Sequence, residues 1–326
     1  MSAWSGKRVL VTGGAGFIGS RAVARLVESS AHVTVVDNLS KGNLSNLRTL
    51  RRQIEFRDED LLTSSSLRRI LKDTDACFHL AAKIGGIAYF HKTPASSLRE
   101  NSIMNFRLWD AAIDTDCLMV CLSSSMIFER TNAFPTPECA VNTSPPPLTG
   151  YGFSKLVAEY VARTYFEEFG VRFLIMRPFN AYGPGEVPGD YVGYAHVIPD
   201  LIKKTLSGQY PLQILGDGEQ TRSYTFVDDI ADALLYAADR FENDDFNIGT
   251  GLETKVIALA QSIWDLCGRT EPFQIERTPS LKYDVVRRVP DVTKLFQKGW
   301  RPKHSLDEGL RITIDWLKTK RTSDKA

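Results

Sequence analysis

The feature that most limits how this chain can fold is an alternation. Short apolar runs rich in valine, isoleucine and leucine recur between longer stretches with helical spacing. The runs are Arg8–Thr12 (RVLVT), His32–Asp37 (HVTVVD), Ile54–Arg57, Ala76–Leu80 (ACFHL), Met119–Ser123 (MVCLS) and Phe173–Arg177 (FLIMR). Between them lie Phe17–Glu28, Ser64–Lys72, Asn101–Asp114 and Tyr151–Phe169. A strand that is apolar along its whole length is covered on both faces, and a helix between two such strands is the crossover that parallel pairing requires. The pattern predicts a doubly wound α/β domain around a parallel sheet. Beyond residue 178 the rhythm breaks. Proline and glycine punctuate 178–193, a helix is expected at Val197–Ser207, and an amphipathic helix at Ser305–Lys318 precedes a polar tail expected to fray. Pro135–Pro147 reads as a long loop, either laid over a cleft or an irregular surface connection.

Composition removes some function classes. The 326 residues carry a net charge of +1, so the overall balance points to neither a nucleic-acid nor a membrane partner. No stretch reaches the roughly eighteen apolar residues of a membrane span, and the N-terminus enters a strand without a signal peptide's apolar region. The five cysteines (77, 117, 121, 139 and 267) have no repeated CxxC spacing and read mostly as small buried apolar residues of a reducing compartment. The five histidines form no HxxxH pair, so no metal site is expected. A cytoplasmic protein is the expectation.

VTGGAGFIGS places Gly13, Gly16 and Gly19 between the first strand and the first helix. Gly13 suits a tight turn, Gly16 lets backbone approach a pyrophosphate, and Gly19 lets helix pack on sheet, with the helix N-terminus facing the phosphates. Asp37 ends the second strand at the distance where a carboxylate accepts hydrogen bonds from both ribose hydroxyls and repels a 2′-phosphate. Strand, glycines and acid together argue for NAD rather than NADP.

Further motifs follow in order: Asp60-Leu61, LAAK (Leu80–Lys83), the serine cluster SSSMIFE from Ser123, YGFSK from Tyr151, and RPFNAYGPGE from Arg177. This set resembles the extended short-chain dehydrogenase/reductases, and among them the nucleotide-sugar epimerases and dehydratases, from about residue 8 to about 318. The resemblance implies a Rossmann-type doubly wound sheet (1–178, with 225–250 returning to it) and a smaller C-terminal α/β substrate domain (179–224 and 251–326). It also implies a tightly held NAD, with Phe17, Ile18, Asn38, Leu80, Ala82 and Pro178 beside it, its adenine near Asp60-Leu61, and Ala81, Lys83 and Asn101 near the nicotinamide. A homodimer through the helices Asn101–Asp114 and Tyr151–Phe169 is a further implication.

The chemistry can be argued from the residues. Tyr151 and Lys155 are four apart at the start of a helix and project from one face. An ammonium near a phenol favours the phenolate, so Tyr151 can act as a base below its ordinary pKa of roughly 10. The Ser124 hydroxyl can bond the same sugar oxygen and relay its proton. The resemblance sharpens the meaning of Ser124-Ser125-Met126. Related 4,6-dehydratases carry Thr-Asp-Glu there, and related sugar-acid decarboxylases place a glutamate at the position of Met126. A thioether transfers no proton. A 4-epimerase needs no further acid or base, and a C4 epimerase of UDP-glucose/galactose or UDP-uronate type is therefore the expectation. KIGGI (Lys83–Ile87) and HVIP (His196–Pro199) also resemble GDP-fucose synthase and GDP-mannose 3,5-epimerase, which leaves a GDP-sugar 3,5-epimerase/4-ketoreductase as the alternative. A non-catalytic NAD-binding sensor or scaffold is the alternative of another class.

For the nucleotide-diphosphate sugar, Lys83, Ser124, Ser125, Met126, Asn180, His196 and Val197 are expected contacts, and Arg222 matches an arginine that grips the diphosphate. Many relatives hold the second phosphate with an arginine where this chain has Leu281; Lys282, Arg287 or Arg288 can substitute, with Arg287 the expected contact and a solvated basic cluster the alternative. Tyr191, Tyr194 and Tyr210 are available to stack on a base that the sequence does not specify. Asp228 and Asp229 are expected to cap the helix they begin.

Overall fold

The computed structural model describes residues 2–85, 92–189, 196–280 and 285–323. In chain order, β1 (Arg8–Thr12), α1 (Phe17–Glu28), β2 (His32–Asp37), β3 (Ile54–Asp58), α2 (Leu67–Lys72), β4 (Ala76–His79), α3 (Pro94–Ala112), β5 (Leu118–Leu122), α4 (Gly150–Phe169) and β6 (Phe173–Pro178) form the regular part. Then come β7 (Ala181–Tyr182), α5 (Val197–Leu206), β8 (Leu212–Leu215), β9 (Thr221–Arg222), β10 (Thr225–Phe226), α6 (Val227–Ala238) and β11 (Asp244–Ile248). The remainder holds β12 (Thr254–Lys255), α7 (Val256–Leu266), β13 (Ile275–Thr278), β14 (Arg287–Arg288), α8 (Thr293–Gln297) and α9 (Leu306–Ser323).

A seven-stranded sheet has the order β11-β6-β5-β4-β1-β2-β3, and its neighbours are parallel throughout. This is the Rossmann arrangement, extended by β11. On one face α1 and α6 cover Val9, Val11, Val33, Val35 and Phe78. On the other, α2, α3 and α4 cover Leu10, Val36, Cys77 and Met119. Both faces are buried, which is why these strands read as unbroken apolar runs. A third core lies outside the sheet, where α5, α7 and α9 pack around Ile202, Leu212, Trp264 and Leu310.

The differences from the sequence reading have local causes. β11 (DDFNI) escapes the apolar pattern because it opens on two aspartates. Both pair with Lys294, and Asp245 also meets the fully buried Arg177 at 2.5 Å. α2 starts at Leu67 rather than Ser64, because the Ser64 and Ser66 hydroxyls donate to Glu59 at 2.6 and 2.5 Å instead of entering a helix. α3 starts earlier than expected, with Pro94 in its first turn, where a missing N–H costs nothing. α9 continues to Ser323, into the tail expected to fray. Asp228 and Asp229 lie in the first turn of α6 without capping it: Asp229 accepts from the backbone of Lys303 and His304. Among the described residues no helix is long and apolar enough to cross a membrane.

Strand order reverses between β1 and β4, so the crossovers leave in opposite directions and a crevice opens at their carboxyl ends. Gly13 follows one of these ends and Leu80 the other.

Candidate active site

One cleft of about 670 Å³ runs from that crevice, past the start of α4, to α5, β8 and α9. At the crevice, Gly13 has φ +70°, and a Cβ on it would stand 2.7 Å from the backbone of Ala81. A Cβ on Gly19 would overlap the Gly13 carbonyl. Gly16 caps α1 with no side-chain hydrogen bond and no acid follows in the first turn, so the helix end presents backbone N–H groups and positive potential to the cleft. Asp37 is buried and accepts from Ala15 N at 2.9 Å and Leu39 N at 2.8 Å. A carboxylate has lone pairs beyond these two bonds. Asn38 donates to Asp60 at 2.9 Å and ties the ends of β2 and β3 together.

Ser124 begins a 3-10 turn (Ser125–Phe128) after β5, and its Oγ accepts from Met126 N at 3.2 Å. Its hydroxyl faces the Tyr151 phenol and favours the ionised form. Tyr151 sits in the first turn of α4, buried against Met126. One turn later the buried Lys155 Nζ lies 5.8 Å from the Tyr151 ring centroid and donates to Leu122 O at 2.6 Å. Burial raises the Tyr151 pKa, opposed by the Ser124 hydroxyl and then by the charge of Arg288. Burial lowers that of Lys155, opposed by Cys121 and Glu159. In the protein by itself burial outweighs the Ser124 and Arg288 contributions and holds the phenol protonated, with Arg288 the opposing cation; the expected phenolate relies on a nicotinamide cation as well as the Lys155 ammonium. Behind Lys155, burial and then the Lys155 charge push His79 down to about 3, so this imidazole is neutral and hydrogen-bonds Thr12 at 2.8 Å.

The far wall is assembled from distant pieces. β9 and β14 pair in parallel with Arg222 opposite Arg288 and Thr221 opposite Arg287. Successive side chains on a strand point to opposite faces, and both Arg222 and Arg288 line the cleft. Arg287 faces away, its guanidinium forked on Glu253 with two bonds of 2.8 Å. Asn180 (φ 38°) donates to Ser223 O at 2.9 Å. His196 caps α5, and its Nδ1 hydrogen-bonds the Glu186 carboxylate. Burial lowers its pKa and Glu186 more than reverses this, against Arg288 and Lys41. Because the side chain is half-exposed, the carboxylate is the cause that carries weight.

Residues 9–249 match the NAD dependent epimerase/dehydratase family. The chain belongs to that family. A Methanocaldococcus jannaschii protein provisionally named as a UDP-glucose 4-epimerase is 32% identical over 95% of this chain and 98% of its own length. A Bacillus cytotoxicus UDP-N-acetyl-alpha-D-glucosaminuronate decarboxylase is 31% identical over 96% and 98%. The structure of UDP-glucose 4-epimerase from Thermotoga maritima with UDP-glucose superposes with a TM-score of 0.86 at 33% identity, covering 96% of this chain and 99% of that one.

NAD, the cofactor of this epimerase/dehydratase family, fits the residues present. Cβ atoms at Gly13 and Gly19 would close the turn below the pyrophosphate path, and the Asp37 carboxylate reaches the cleft. The expected cofactor, catalytic and substrate residues line the cleft with two exceptions. Asn101 is buried behind the wall, accepting from Lys83 N at 2.7 Å and donating to Ser154 Oγ at 3.1 Å, so it braces the Lys83 segment rather than facing a ligand. Arg287 is the other, and Arg288 takes its place in the cleft. A register error of one residue reverses the face of a side chain, and two adjacent arginines gave the sequence no means of choosing. Tyr210 packs on Trp264, ring centroids 6.0 Å apart, and is no part of the lining. Glu186 was missed because only the fold brings it to His196. Tyr191, Tyr194, Leu281 and Lys282 lie outside the described residues, as do Gly86 and Ile87 of KIGGI.

Proposed function

We propose that this chain is an NAD-dependent nucleotide-sugar epimerase acting at C4 through a transient 4-keto sugar. Met126 carries the reading. Its thioether occupies the cleft wall against Tyr151, where elimination across C5 and C6 or decarboxylation would call for a second proton-moving group. What remains is the Ser124–Tyr151 pair with Lys155 behind it. NAD, held by the Gly13–Gly19 turn and Asp37, would supply the two-electron acceptor and donor that this chemistry needs. Tyr151 acts as the phenolate, which the Lys155 ammonium and the cationic nicotinamide ring of the oxidised cofactor would favour. Relayed by Ser124, it takes the proton of the sugar 4-hydroxyl as C4 is oxidised, and returns it after the keto-sugar has turned its other face. Lys155 holds positive charge beside the ring while the phenol is ionised. Arg222 and Arg288 hold the diphosphate as a pair of guanidinium forks, leaving the sugar free to turn.

The test is incubation with UDP-glucose, UDP-galactose, UDP-glucuronate and GDP-sugars in D₂O, with no added reductant. Interconversion of C4 epimers without solvent deuterium in the product is the expected result. Deuterium at C3 or C5 would favour a 3,5-epimerase, the reading that His196 hydrogen-bonded to Glu186 supports, and release of CO₂ from UDP-glucuronate would overturn the argument from Met126. Exposed Ile103 and Phe106 on α3 and Phe153 and Tyr160 on α4 belong to the same reading, as the apolar surface of a homodimer built through these helices.

A further inference from the structure

Ser124 and Tyr151 come from different elements, one from the turn after β5 and one from the first turn of α4. Their hydroxyls meet only if those elements are held in register, and Glu129 is placed to hold them. It ends the 3-10 turn that Ser124 begins. Its Oε2 accepts from Leu148 N at 2.7 Å and Thr149 N at 3.0 Å, and its Oε1 accepts from the Thr149 hydroxyl. That hydroxyl in turn caps α4 by accepting from Gly152 N at 3.0 Å. The contact is also close-packed. A Cβ on Gly152 would lie 2.8 Å from Met126 O and 2.9 Å from Glu129 Oε1.

We propose that Glu129 is a positioning residue for the proton-moving pair, acting through Thr149 and the start of α4 to keep the Tyr151 phenol on the Ser124 hydroxyl. The inference rests on the reading of that pair given above. A carboxylate at a helix N-terminus also stabilises the helix, so the question is whether the clamp does more. The Tyr151 phenol is faced by Ser124, Arg288 and Lys155, and the Ser124 hydroxyl and the Arg288 charge oppose the upward push of burial. Loosening the clamp therefore raises the phenol's pKa.

In Glu129→Ala, kcat is expected to fall about 10- to 100-fold, the cost of a displacement on the order of 1 Å, while KM changes by less than about threefold and the protein still holds NAD. The rising limb of the kcat–pH profile is expected to move to higher pH. Glu129→Gln keeps one acceptor for the backbone N–H groups and can donate to Thr149 Oγ, and it is expected to restore most of kcat and the wild-type limb. A Glu129→Ala enzyme with an unmoved limb would overturn the proposal, whether kcat stays or falls, because a fold-only role lowers the active fraction without changing the phenol. Should Glu129→Ala fail to fold, Thr149→Val decides: it removes the hydroxyl link, keeps both backbone bonds, and must move the limb in the same direction. Tyr151→Phe is measured alongside, and undiminished activity there would defeat the underlying reading rather than this one.

Discussion

At the Gly13–Gly19 end of the cleft the wall is mostly backbone, and at the Arg222–Arg288 end it is side chain. The first is made by the carboxyl ends of the largely buried parallel strands β1, β2 and β4 and a single helix terminus, with its glycine turn and Asp37 inside the β1-α1-β2 unit. The second is made by two-residue strands, the cap of α5 and a left-handed asparagine, drawn from positions as far apart as Asn180 and Arg288. A cofactor that stays bound can be met by fixed N–H groups and close glycine contacts. On the proposed 4-epimerase reading, a sugar that turns over within one catalytic cycle is better held by its diphosphate alone, through charged forks at a distance from the reacting carbon. The comparison predicts that substitutions at the two ends separate into different kinetic parameters, and that the seam between them, Ser124–Tyr151–Lys155, governs rate.

The seam should show the largest effect. Tyr151→Phe removes the proton acceptor and keeps the ring against Met126, so kcat is expected to drop about 10²- to 10⁴-fold, with NAD content unchanged by absorbance of the purified protein. Activity within a few-fold of wild type would break the division, since the seam would then contribute nothing beyond packing.

What the sequence disclosed follows the same line. The glycine turn, Asp37, and the Tyr151–Lys155 spacing lie within contiguous segments whose geometry is local, so period and motif sufficed to place them. The far wall depends on which of two neighbouring residues faces inward, and that is set by pairing with a distant strand. Arg287 and Arg288 are chemically equivalent in the sequence; only the Arg222–Arg288 register separates them. Asn101 shows the converse, a motif residue that lies behind the cleft wall and braces the Lys83 backbone. β11 was hidden by aspartates whose partners, Lys294 and Arg177, are 50 and 68 residues away from Asp244 and Asp245 respectively.

Arginine substitutions test that register, with an effect next in size. Arg288→Ala removes a guanidinium from the cleft and is expected to raise KM for the nucleotide sugar about 10- to 100-fold, the loss of charge-assisted bonds worth about 1.5–3 kcal/mol, with kcat less affected. Arg287→Ala breaks an exposed pair with Glu253 and should change KM less than about threefold. Reversal of the two would mean that β14 pairs one residue out of the described register. At the cofactor end, Asp37→Asn weakens NAD binding by about tenfold, the scale of one lost charged hydrogen bond, read by isothermal titration of cofactor-stripped protein. KM for the sugar should stay within about twofold, since Asp37 and Arg222 line opposite ends of the cleft.

The smallest effect concerns His196, where the far wall carries a titratable group. Burial lowers its pKa and Glu186 raises it further than that, so the folded value stands above the ordinary imidazole value of about 6.5. A group whose folded pKa is raised adds stability below its unfolded pKa and loses it as pH climbs through the folded one. The contribution is therefore full in mildly acidic solution and absent on the alkaline side of the raised pKa. With the His196 side chain half-exposed, solvent screening keeps it small, at most about 2 °C in Tm. Comparing wild type with His196→Gln by thermal melting from about pH 5.5 to about pH 9 should show the gap at the acid end closing as pH rises. A gap that instead opened toward alkaline pH would mean the imidazole is held neutral, with Glu186 accepting from a neutral ring, and the far wall would then present one cation fewer to the diphosphate than Arg222, Arg288 and His196 together provide.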